Sequence, residues 1–274
     1  MTLYLITACP DLARAATAAG VDRIFVDLEI AGKEARQGHK DTVISRHTLE
    51  DVHAIRQVVP QGSLLVRIDP WGDGSPGQVE AVLDAGADAL MLPMFSNAQE
   101  VAAFTHCVAG RATTVGLCET AAGLARLGPI LTSGQLDEIH FGLNDLHLDM
   151  GLDFLFEVLA GGFMDLAASR CLEAGVPFGF GGVARVGGGE LPARLILGEH
   201  ERLGSTAVIL SRAFTGGAKT LSDMPADLDL KAEVARVQEC LESLAERDDD
   251  QREADRLELA GITQAIADRI GGRA

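Results

Sequence analysis

The feature that most restricts the fold of this chain is a local pattern that occurs four times. In each copy a helix-forming run ends in Ala-Gly or Leu-Gly, and a short apolar segment follows. The copies are Ala19-Gly20 before Arg23–Leu28, Ala85-Gly86 before Ala89–Pro93, Ala174-Gly175 before Pro177–Phe180, and Leu203-Gly204 before Ala207–Ser211. Glycine just past a helix can adopt the left-handed conformation that closes the last turn. The apolar segments lack strict alternation, which is typical of parallel strands buried on both faces. The repetition therefore predicts successive βα units.

Completing this pattern gives eight strands and predicts a single (β/α)8 barrel. The strands are Leu3–Thr7, Arg23–Glu29, Leu64–Asp69, Ala89–Pro93, Thr113–Glu119, Glu138–Leu143, Pro177–Phe180 and Ala207–Ser211. Two of the intervening helices are expected at Thr120–Leu127 and Asp153–Ala174. The 274 residues suffice for one barrel, which typically needs about 250. No G-x-G-x-x-G follows the first strand, which disfavours a dinucleotide-binding sheet. We assign residues 1–226 to the barrel and residues 227–274 to a C-terminal helical extension that packs on the barrel or on a partner subunit.

Composition excludes several other classes of protein. Hydrophobic residues make up 47% and charged residues 23%, which is typical of a globular chain and not of a disordered one. A net charge of −17 repels phosphate backbones, so we expect no nucleic-acid partner. No apolar run approaches the length of about 20 residues that a membrane span needs, and the N-terminus lacks the basic start of a secretory signal. Five scattered cysteines without a C-x-x-C favour reduced thiols and a cytoplasmic location.

Ionisable residues are concentrated where the predicted strands end. Asp27 and Glu29 end strand two, Arg67 lies near the end of strand three, Glu119 ends strand five, and Asp145 follows strand six. Alternation along a strand places Asp27 and Glu29 on one face. Catalytic residues of such barrels project from the carboxyl ends of the strands, so we expect these side chains to converge there.

A carboxylate cluster with few basic neighbours predicts a divalent cation. Oxygen ligands favour Mg²⁺ or Mn²⁺, and no His or Cys pair has the spacing of a zinc site. Glu119 and Asp145, at the ends of adjacent strands, are the candidate ligands. Taken singly, either residue is also explained as a helix N-cap or as the partner of a barrel arginine.

Several short motifs together carry a family resemblance. They are Asp27-Leu28-Glu29, Val66-Arg67-Ile68, Leu92-Pro93, Leu117-Cys118-Glu119-Thr120, Gly142-Leu143-Asn144-Asp145-Leu146 and Asp149-Met150-Gly151. In this order they resemble the HpcH/HpaI aldolase and citrate lyase β-subunit family over roughly Val21 to Ser211. The resemblance implies a metal-dependent barrel that makes or breaks a C–C bond next to a carbonyl. It implies that Glu119 and Asp145 bind the metal, that Arg67 contacts the substrate, and that the protein is a homo-oligomer assembled through its C-terminal helices.

The expected chemistry is formation of an enolate from a 2-oxo acid such as pyruvate, followed by attack on an aldehyde, or the reverse cleavage. The cation and Arg67 would stabilise the enolate oxygen. Backbone N–H groups at Asn144 and Asp145, if they open a helix, would hold the carboxylate. The Schiff-base alternative needs a lysine inside the barrel. No predicted strand contains one, although Lys33 and Lys40 in the loop after strand two leave this alternative open.

This chain departs from the family pattern at position 30. The aldolase branch has histidine directly after its D-x-E motif, the lyase branch usually has aspartate, and this chain has Ile30. We therefore consider His39 in the following loop, or Glu29, as the acid–base group. With Asp27 and Arg67 they complete the predicted catalytic set. A solvated loop histidine is the other interpretation of His39.

Three further residues are candidates for site or core positions. Arg185, in the Gly-rich segment after strand seven, and Arg212, after strand eight, are candidates to bind a phosphate or a second carboxylate, because those loops often do so in such barrels. A flexible loop and a structural ion pair are the alternatives. His140 is expected to point away from the inward-facing side chains, as a core residue.

Two rival functions remain from the sequence. One is a lyase or synthase of the citrate lyase β type that acts on an acyl-CoA thioester, although a clear basic patch for the CoA phosphates is absent. The other is a non-catalytic binding protein that retains the metal and anion pocket without the proton shuttle.

Overall fold

The eight strands form a closed parallel barrel in which each strand pairs with its neighbours in chain order, β1 to β8. The computed structural model describes residues 1–30, 47–133 and 135–272. The strands are β1 Thr2–Ile6, β2 Arg23–Asp27, β3 Leu64–Arg67, β4 Ala89–Leu92, β5 Thr113–Cys118, β6 Glu138–Phe141, β7 Phe178–Val183 and β8 Ala207–Leu210. The predicted barrel is therefore confirmed.

Twelve α-helices are found in the described ranges. They are α1 Pro10–Ala19, α2 Leu49–Arg56, α3 Ser75–Asp84, α4 Ala98–Val108, α5 Ala121–Ala125, α6 Leu127–Ser133, α7 Leu143–Asp149, α8 Glu157–Ala160, α9 Phe163–Ala174, α10 Ala193–Leu203, α11 Leu230–Ala245 and α12 Asp249–Ile270. Within the described part of the chain, none of them is both long and apolar enough to cross a membrane.

Glycine conformations explain where the helices begin and end. The four glycines of the recurring pattern, Gly20, Gly86, Gly175 and Gly204, have φ values of 103°, 89°, 68° and 75°, so the predicted helix ends are confirmed. The prediction of a single helix over Asp153–Ala174 is wrong, because Gly161 and Gly162 interrupt it and divide the segment into α8 and α9. The helix predicted over Thr120–Leu127 is likewise replaced by the short α5, and α6 follows it directly.

Alternate strand residues fill the inside of the barrel. A buried apolar cluster, separate from the rest of the core, consists of Tyr4, Phe25, Leu65, Ala89, Met91, Val115, Leu117 and Ala207. The neighbouring strand residues, such as Leu3, Leu5, Ile24 and Val26, belong to the larger core that includes the buried faces of the helices. This alternation places Arg23 and Asp27 on the same inward face of β2 as Phe25.

A polar cluster, in which Tyr4 is buried and Arg23 and Glu138 are half-buried, closes the barrel at the amino ends of the strands. We call Tyr4, Arg23 and Glu138 the floor cluster. Arg23 donates from both Nη atoms to the Glu138 carboxylate, each at 2.7 Å, and the Tyr4 hydroxyl donates to Glu138 Oε2 at 3.0 Å. Burial and the neighbouring Glu138 charge raise the pKa of Tyr4, so its hydroxyl remains a donor. Side chains from β1, β2 and β6 thus meet across the barrel at this end.

The two C-terminal helices pack against helices of the same chain. α11 contacts α1 and α10, and α12 contacts α10 and α8. The buried Asp255 of α12 accepts hydrogen bonds from Arg194 of α10 at 2.7 Å and from Arg247 at 3.1 Å. The extension is therefore attached to the barrel by ion pairs as well as by apolar contacts. A role in contacting a partner subunit stays a prediction.

His140 lies inside the barrel, which corrects the expected outward orientation. It shares a face of β6 with Glu138, whose carboxylate reaches Tyr4, and its ring lies 5.9 Å from the Tyr4 ring. Its Nε2 donates to the Gly181 carbonyl at 3.2 Å. The space exists because residue 179 is glycine: a Cβ there would lie 2.6 Å from His140 Nδ1. Burial lowers the pKa of His140 to about 4.

This buried histidine predicts a pH dependence of stability. Its pKa is about 4 in the folded protein against 6.5 for an ordinary histidine, so below pH 6.5 the unfolded chain takes up a proton that the folded protein does not. The free energy of unfolding therefore falls by about 1.4 kcal/mol per pH unit for this group as the pH drops from 6.5 to 4. We expect His140→Gln to flatten the acidic side of the curve of unfolding free energy against pH, measured by urea denaturation. The exposed His53→Gln serves as the control, and equal curves for all three proteins would contradict the prediction.

Candidate active site

The carboxyl ends of β2 and β3 hold a buried ion-pair group. Asp27 and Arg67 are register partners on these strands. Arg67 Nε and Nη2 donate to the two carboxylate oxygens of Asp27, each at 2.8 Å. Glu29 Oε2 lies 3.3 Å from the same Nη2. Asp27 and Glu29 are 2% and 1% exposed, so both carboxylates depend on Arg67 for part of their charge compensation.

Arg67 remains a cation although it is enclosed. Burial by itself lowers the pKa of its guanidinium. The charges of Asp27, Glu29 and Glu119, together with the hydrogen bonds to Asp27, outweigh this effect and raise the pKa above its ordinary value. The bidentate contact also fixes the plane of the guanidinium. The group is therefore a permanently charged donor with one orientation.

Glu119 is held at the end of β5 by the backbone of the neighbouring strand. Its Oε1 accepts a hydrogen bond from the Met94 N–H at 3.2 Å. Met94 has φ of 56°, a conformation that is costly for a residue with a side chain and is often found at functional sites. The Thr120 hydroxyl donates to the Phe95 carbonyl at 2.8 Å. Two hydrogen bonds thus fasten the turn after β4 to the turn after β5.

The other oxygen of Glu119 faces the start of α7. A Cβ at Gly142 would lie 2.8 Å from Glu119 Oε2, so only glycine leaves this oxygen room. The Gly142 N–H donates to the Cys118 carbonyl at 3.0 Å, which holds the ends of β5 and β6 together. Asp145 is in the first turn of α7 and is half-buried, and Asn144 beside it is exposed.

The residues present fit a divalent cation. Asp27, Glu29 and Glu119 are buried carboxylates, and Arg67 supplies one positive charge among them. An all-oxygen donor set of this kind is what Mg²⁺ or Mn²⁺ prefers. Glu119 Oε2 lies beside Gly142, at the start of α7, which carries Asp145. No group of three or more His, Cys, Asp or Glu side chains suited to a metal is found among residues 1–30, 47–133 and 135–272.

The two predicted anion-binding arginines follow adjacent strands. Val183 of β7 and Leu210 of β8 are register partners, and the Ser211 N–H donates to the Val183 carbonyl at 2.8 Å. Arg185 and Arg212 each lie two residues beyond this pair. Arg185 is half-buried and Arg212 is exposed. Both therefore lie at the same end of the barrel as Arg67 and Glu119.

Of the two positions considered for the acid–base group, the structure describes residue 30 but not residue 39. His39 lies outside the described residues. Ile30 is 61% exposed, and its N–H donates to Asp69 Oδ1 at 2.8 Å.

Sequence reasoning missed two residues of this end of the barrel, Met94 and His47. Their contacts run between backbone and side chain, so no residue-type pattern signals them. His47 Nδ1 accepts the Asp27 N–H at 3.0 Å.

A groove outside the barrel is separate from this chemistry. It has a volume of about 580 Å³ and lies between α5, α6 and α9, with walls that include Leu124, Met150 and Phe163. Arg170 on its rim pairs with Glu173 at 3.3 Å. Its lining is mainly apolar, in contrast to the ionised strand ends.

The comparisons with known proteins identify the family of this chain. A model of the HpcH/HpaI aldolase/citrate lyase family matches residues 1–180. The chain belongs to this family. It is thus a member of a family of lyases and aldolases. A search of curated proteins finds no match.

Solved structures of the same fold accompany the family match. An HpcH/HpaI aldolase/citrate lyase family protein from Burkholderia cenocepacia superposes with a TM-score of 0.61 at 15% identity, covering 89% of this chain and 94% of the other. The citrate lyase beta subunit from Mycobacterium tuberculosis, complexed with oxaloacetate and magnesium, gives 0.60 at 16% identity, covering 87% and 96%. Protein CitE from Mycobacterium tuberculosis, in complex with magnesium and pyruvate, gives 0.61 at 15% identity, covering 93% and 97%. At this identity the likeness establishes the fold.

The close approach at Gly142 yields a prediction. In Gly142→Ala the new methyl group would lie 2.8 Å from Glu119 Oε2, so the carboxylate or the start of α7 must move. We expect a loss of about 1–3 kcal/mol in the free energy of unfolding, as for other overpacked sites, measured by urea denaturation. Gly128→Ala is the control, because nothing lies within 4 Å of its Cβ and alanine favours its helix α6. Equal stability of the two variants would contradict this packing argument.

Proposed function

We propose that this protein is a divalent-metal-dependent carbon–carbon lyase of the aldolase type. It acts on a 2-oxo acid donor such as pyruvate and an aldehyde, through the enolate of the donor. The observation that carries the proposal is the arrangement at the strand ends, where Arg67, charged and fixed by Asp27, lies with Glu29 and Glu119 in a buried group. Such a group suits a reaction in which negative charge develops on one oxygen.

The chain's own residues divide the work as follows. Arg67 donates to the keto oxygen of the donor and stabilises the negative charge of the enolate. Asp27 holds Arg67 in that orientation. Glu29, 3.3 Å from Arg67, is assigned to take the proton from the carbon next to the ketone. In condensation the enolate carbon then bonds to the aldehyde carbon, and the aldehyde oxygen takes up a proton. In cleavage the hydroxyl group of the adduct loses its proton, the C–C bond breaks to release the aldehyde, and the electron pair of that bond forms the enolate, whose carbon is then protonated.

Glu119 and Asp145 are the residues that would hold the cation. When bound, Mg²⁺ or Mn²⁺ would offset the buried negative charge and withdraw electron density from the keto and carboxylate oxygens of the donor. The Met94 N–H binds one oxygen of the Glu119 carboxylate, and the absence of a side chain at Gly142 leaves room for the other. The magnesium complexes of the Mycobacterium tuberculosis proteins support a divalent cation by similarity.

Arg185 and Arg212 are proposed to bind the anionic part of the acceptor. They follow β7 and β8, where barrels of this type often bind phosphate or carboxylate groups. Asn144 and Asp145, in the first turn of α7, are proposed to contact the donor carboxylate through their backbone. His39 stays a candidate acid–base group, and a homo-oligomer in the cytoplasm stays our expectation for the assembly and location.

Exchange of the pyruvate methyl protons with D₂O tests the proposal directly, because it needs no knowledge of the aldehyde. We expect NMR to detect exchange in the presence of Mg²⁺ or Mn²⁺ and none with a chelator, since enolate formation releases a methyl proton. Metal-independent exchange, or none with pyruvate in any metal, would refute the proposed donor chemistry.

Substitutions separate the metal ligands from the substrate contact. Glu119→Gln and Asp145→Asn remove carboxylate charge from the cation site, so we expect Mg²⁺ affinity measured by calorimetry to fall at least tenfold, or by about 1.4 kcal/mol. Arg67→Ala should retain Mg²⁺ binding and lose binding of pyruvate, because it removes the donor to the keto oxygen. Unchanged Mg²⁺ affinity in both carboxylate variants, or unchanged pyruvate affinity in Arg67→Ala, would contradict the respective assignment.

Ile30 favours a second candidate function. The exposed alkyl side chain at this position supplies no proton shuttle, which suits a binding protein that keeps the metal and anion pocket without turnover. Such a protein would bind pyruvate with Mg²⁺ but exchange no protons. An acyl-CoA lyase or synthase of the citrate lyase β type is distinguished by running the same exchange experiment on acetyl-CoA.

A further inference from the structure

We infer that Asp69, held in place by Gln78, is a positioning residue for Glu29. The Asp69 carboxylate takes the place of a backbone carbonyl where the ladder between β2 and β3 ends, and it thereby fixes the peptide that joins Glu29 to Ile30. This deepens the proposed function, in which Glu29 takes the proton from the donor, and rests on it.

The side chain of Asp69 continues a ladder that the backbone of β3 leaves. β2 and β3 pair as far as Asp27 and Arg67, and the Leu28 N–H donates to the Arg67 carbonyl at 3.0 Å. Every second N–H of a parallel strand faces the same neighbour, so the next one belongs to Ile30 and would meet the Asp69 carbonyl. It donates to Asp69 Oδ1 instead, at 2.8 Å. A side chain therefore extends the pairing of the two strands past the end of β2.

The amide of Gln78 holds Asp69 in this position. Gln78 belongs to α3, and its Oε1 accepts the Asp69 N–H at 2.9 Å, while its Nε2 donates to Asp69 Oδ2 at 3.2 Å. One amide group thus binds both the backbone and the side chain of Asp69. Both residues are half-buried, which shields these hydrogen bonds in part from competing water. The orientation of the Asp69 carboxylate is therefore set by the helix that follows β3.

Glu29 is held through the peptide groups on both of its sides. Its own N–H donates to Asp27 Oδ1 at 3.2 Å, and the N–H that follows it is the one accepted by Asp69. Two fixed peptides determine the direction in which the Glu29 side chain leaves its Cα. Its carboxylate is 1% exposed and lies 3.3 Å from Arg67 Nη2. Asp27 also binds Arg67, whereas the contact with Asp69 can be removed without taking a hydrogen-bond partner from Arg67.

Removal of the Asp69 carboxylate should slow proton transfer while binding of the donor is kept. We expect Asp69→Ala to lower the rate of Mg²⁺-dependent pyruvate methyl exchange by about tenfold to 100-fold, because a misplacement of about 1 Å costs up to that much. The pyruvate concentration for half-maximal rate should change little, since Arg67 keeps its partner Asp27. In NMR the Ile30 amide should lose its protection against hydrogen exchange. Asp73→Ala, which removes an exposed carboxylate from the same connection between β3 and α3, should leave all three quantities unchanged.

A reciprocal substitution separates positioning from a general loss of stability. In Asp69→Asn one contact is lost whichever way the two amides turn, because the amide nitrogens at positions 69 and 78 cannot accept from each other. Adding Gln78→Glu supplies a carboxylate that accepts both the N–H of residue 69 and its new side-chain amide, at the same total charge. We expect this double variant to return to within about threefold of the unsubstituted exchange rate, and Asp69→Asn alone to remain slower.

Four outcomes would count against this role of Asp69. An Asp69→Ala exchange rate within about threefold of the unsubstituted protein, or a loss that appears only in the pyruvate concentration for half-maximal rate, would overturn it. A double variant no faster than Asp69→Asn alone would overturn it too, and this comparison decides if Asp69→Ala does not fold. Persistent protection of the Ile30 amide in Asp69→Ala would overturn the contact itself. Absence of exchange in the unsubstituted protein would instead refute the proposed function, and with it the proton transfer for which Glu29 is positioned.

Discussion

The contact between Arg67 and Asp27 is the interaction on which the carboxyl end of the barrel depends. It joins β2 to β3, brings a charged guanidinium into a buried setting, and allows Glu29 to be enclosed nearby. Without it, two carboxylates with almost no exposure would lose part of their charge compensation, at high cost. This contact allows β2 and β3 to end in charged residues. It also holds the Arg67 guanidinium, the positive charge of the site, in one orientation.

Backbone groups left over at strand ends supply much of the remaining order. The Met94 N–H supports the Glu119 carboxylate, and the Asp27 N–H supports the His47 ring. In both cases a strand stops before its neighbour does, and a side chain takes the hydrogen bond that the ladder would have used. Backbone N–H groups of the kind that hold the strands together thus also position polar side chains of the site. The geometry of the site therefore depends on the register of the strands.

The parts of the molecule that the sequence could predict are those governed by short-range rules. Glycines at helix ends and apolar strands buried on both faces predicted the barrel. Polar residues at the strand ends predicted that Asp27, Glu29, Arg67 and Glu119 lie close together. From the sequence, His140 was placed on the wrong face of β6. Which residues of a strand point into the barrel depends on where the strand begins, and only the contacts of Glu138 with Tyr4 and Arg23 decide this for β6. Met94 and His47 escaped prediction because their roles follow from backbone hydrogen bonds across different strands. The roles of the strand-end residues themselves await the substitutions.

The floor cluster has a consequence for the order of events in catalysis. Tyr4, Arg23 and Glu138 lie across the amino end of the barrel axis, and apolar side chains fill the barrel next to them, so the proposed substrates would approach Arg67 from the carboxyl ends of the strands. Under the proposed chemistry the donor lies deepest, against Arg67, and the acceptor lies above it, nearer Arg185 and Arg212. Entry is then sequential and departure follows the reverse sequence: the aldehyde must leave before pyruvate can escape. Under the proposed chemistry we therefore expect steady-state kinetics of the compulsory-order type, with pyruvate as the first reactant on and the last product off.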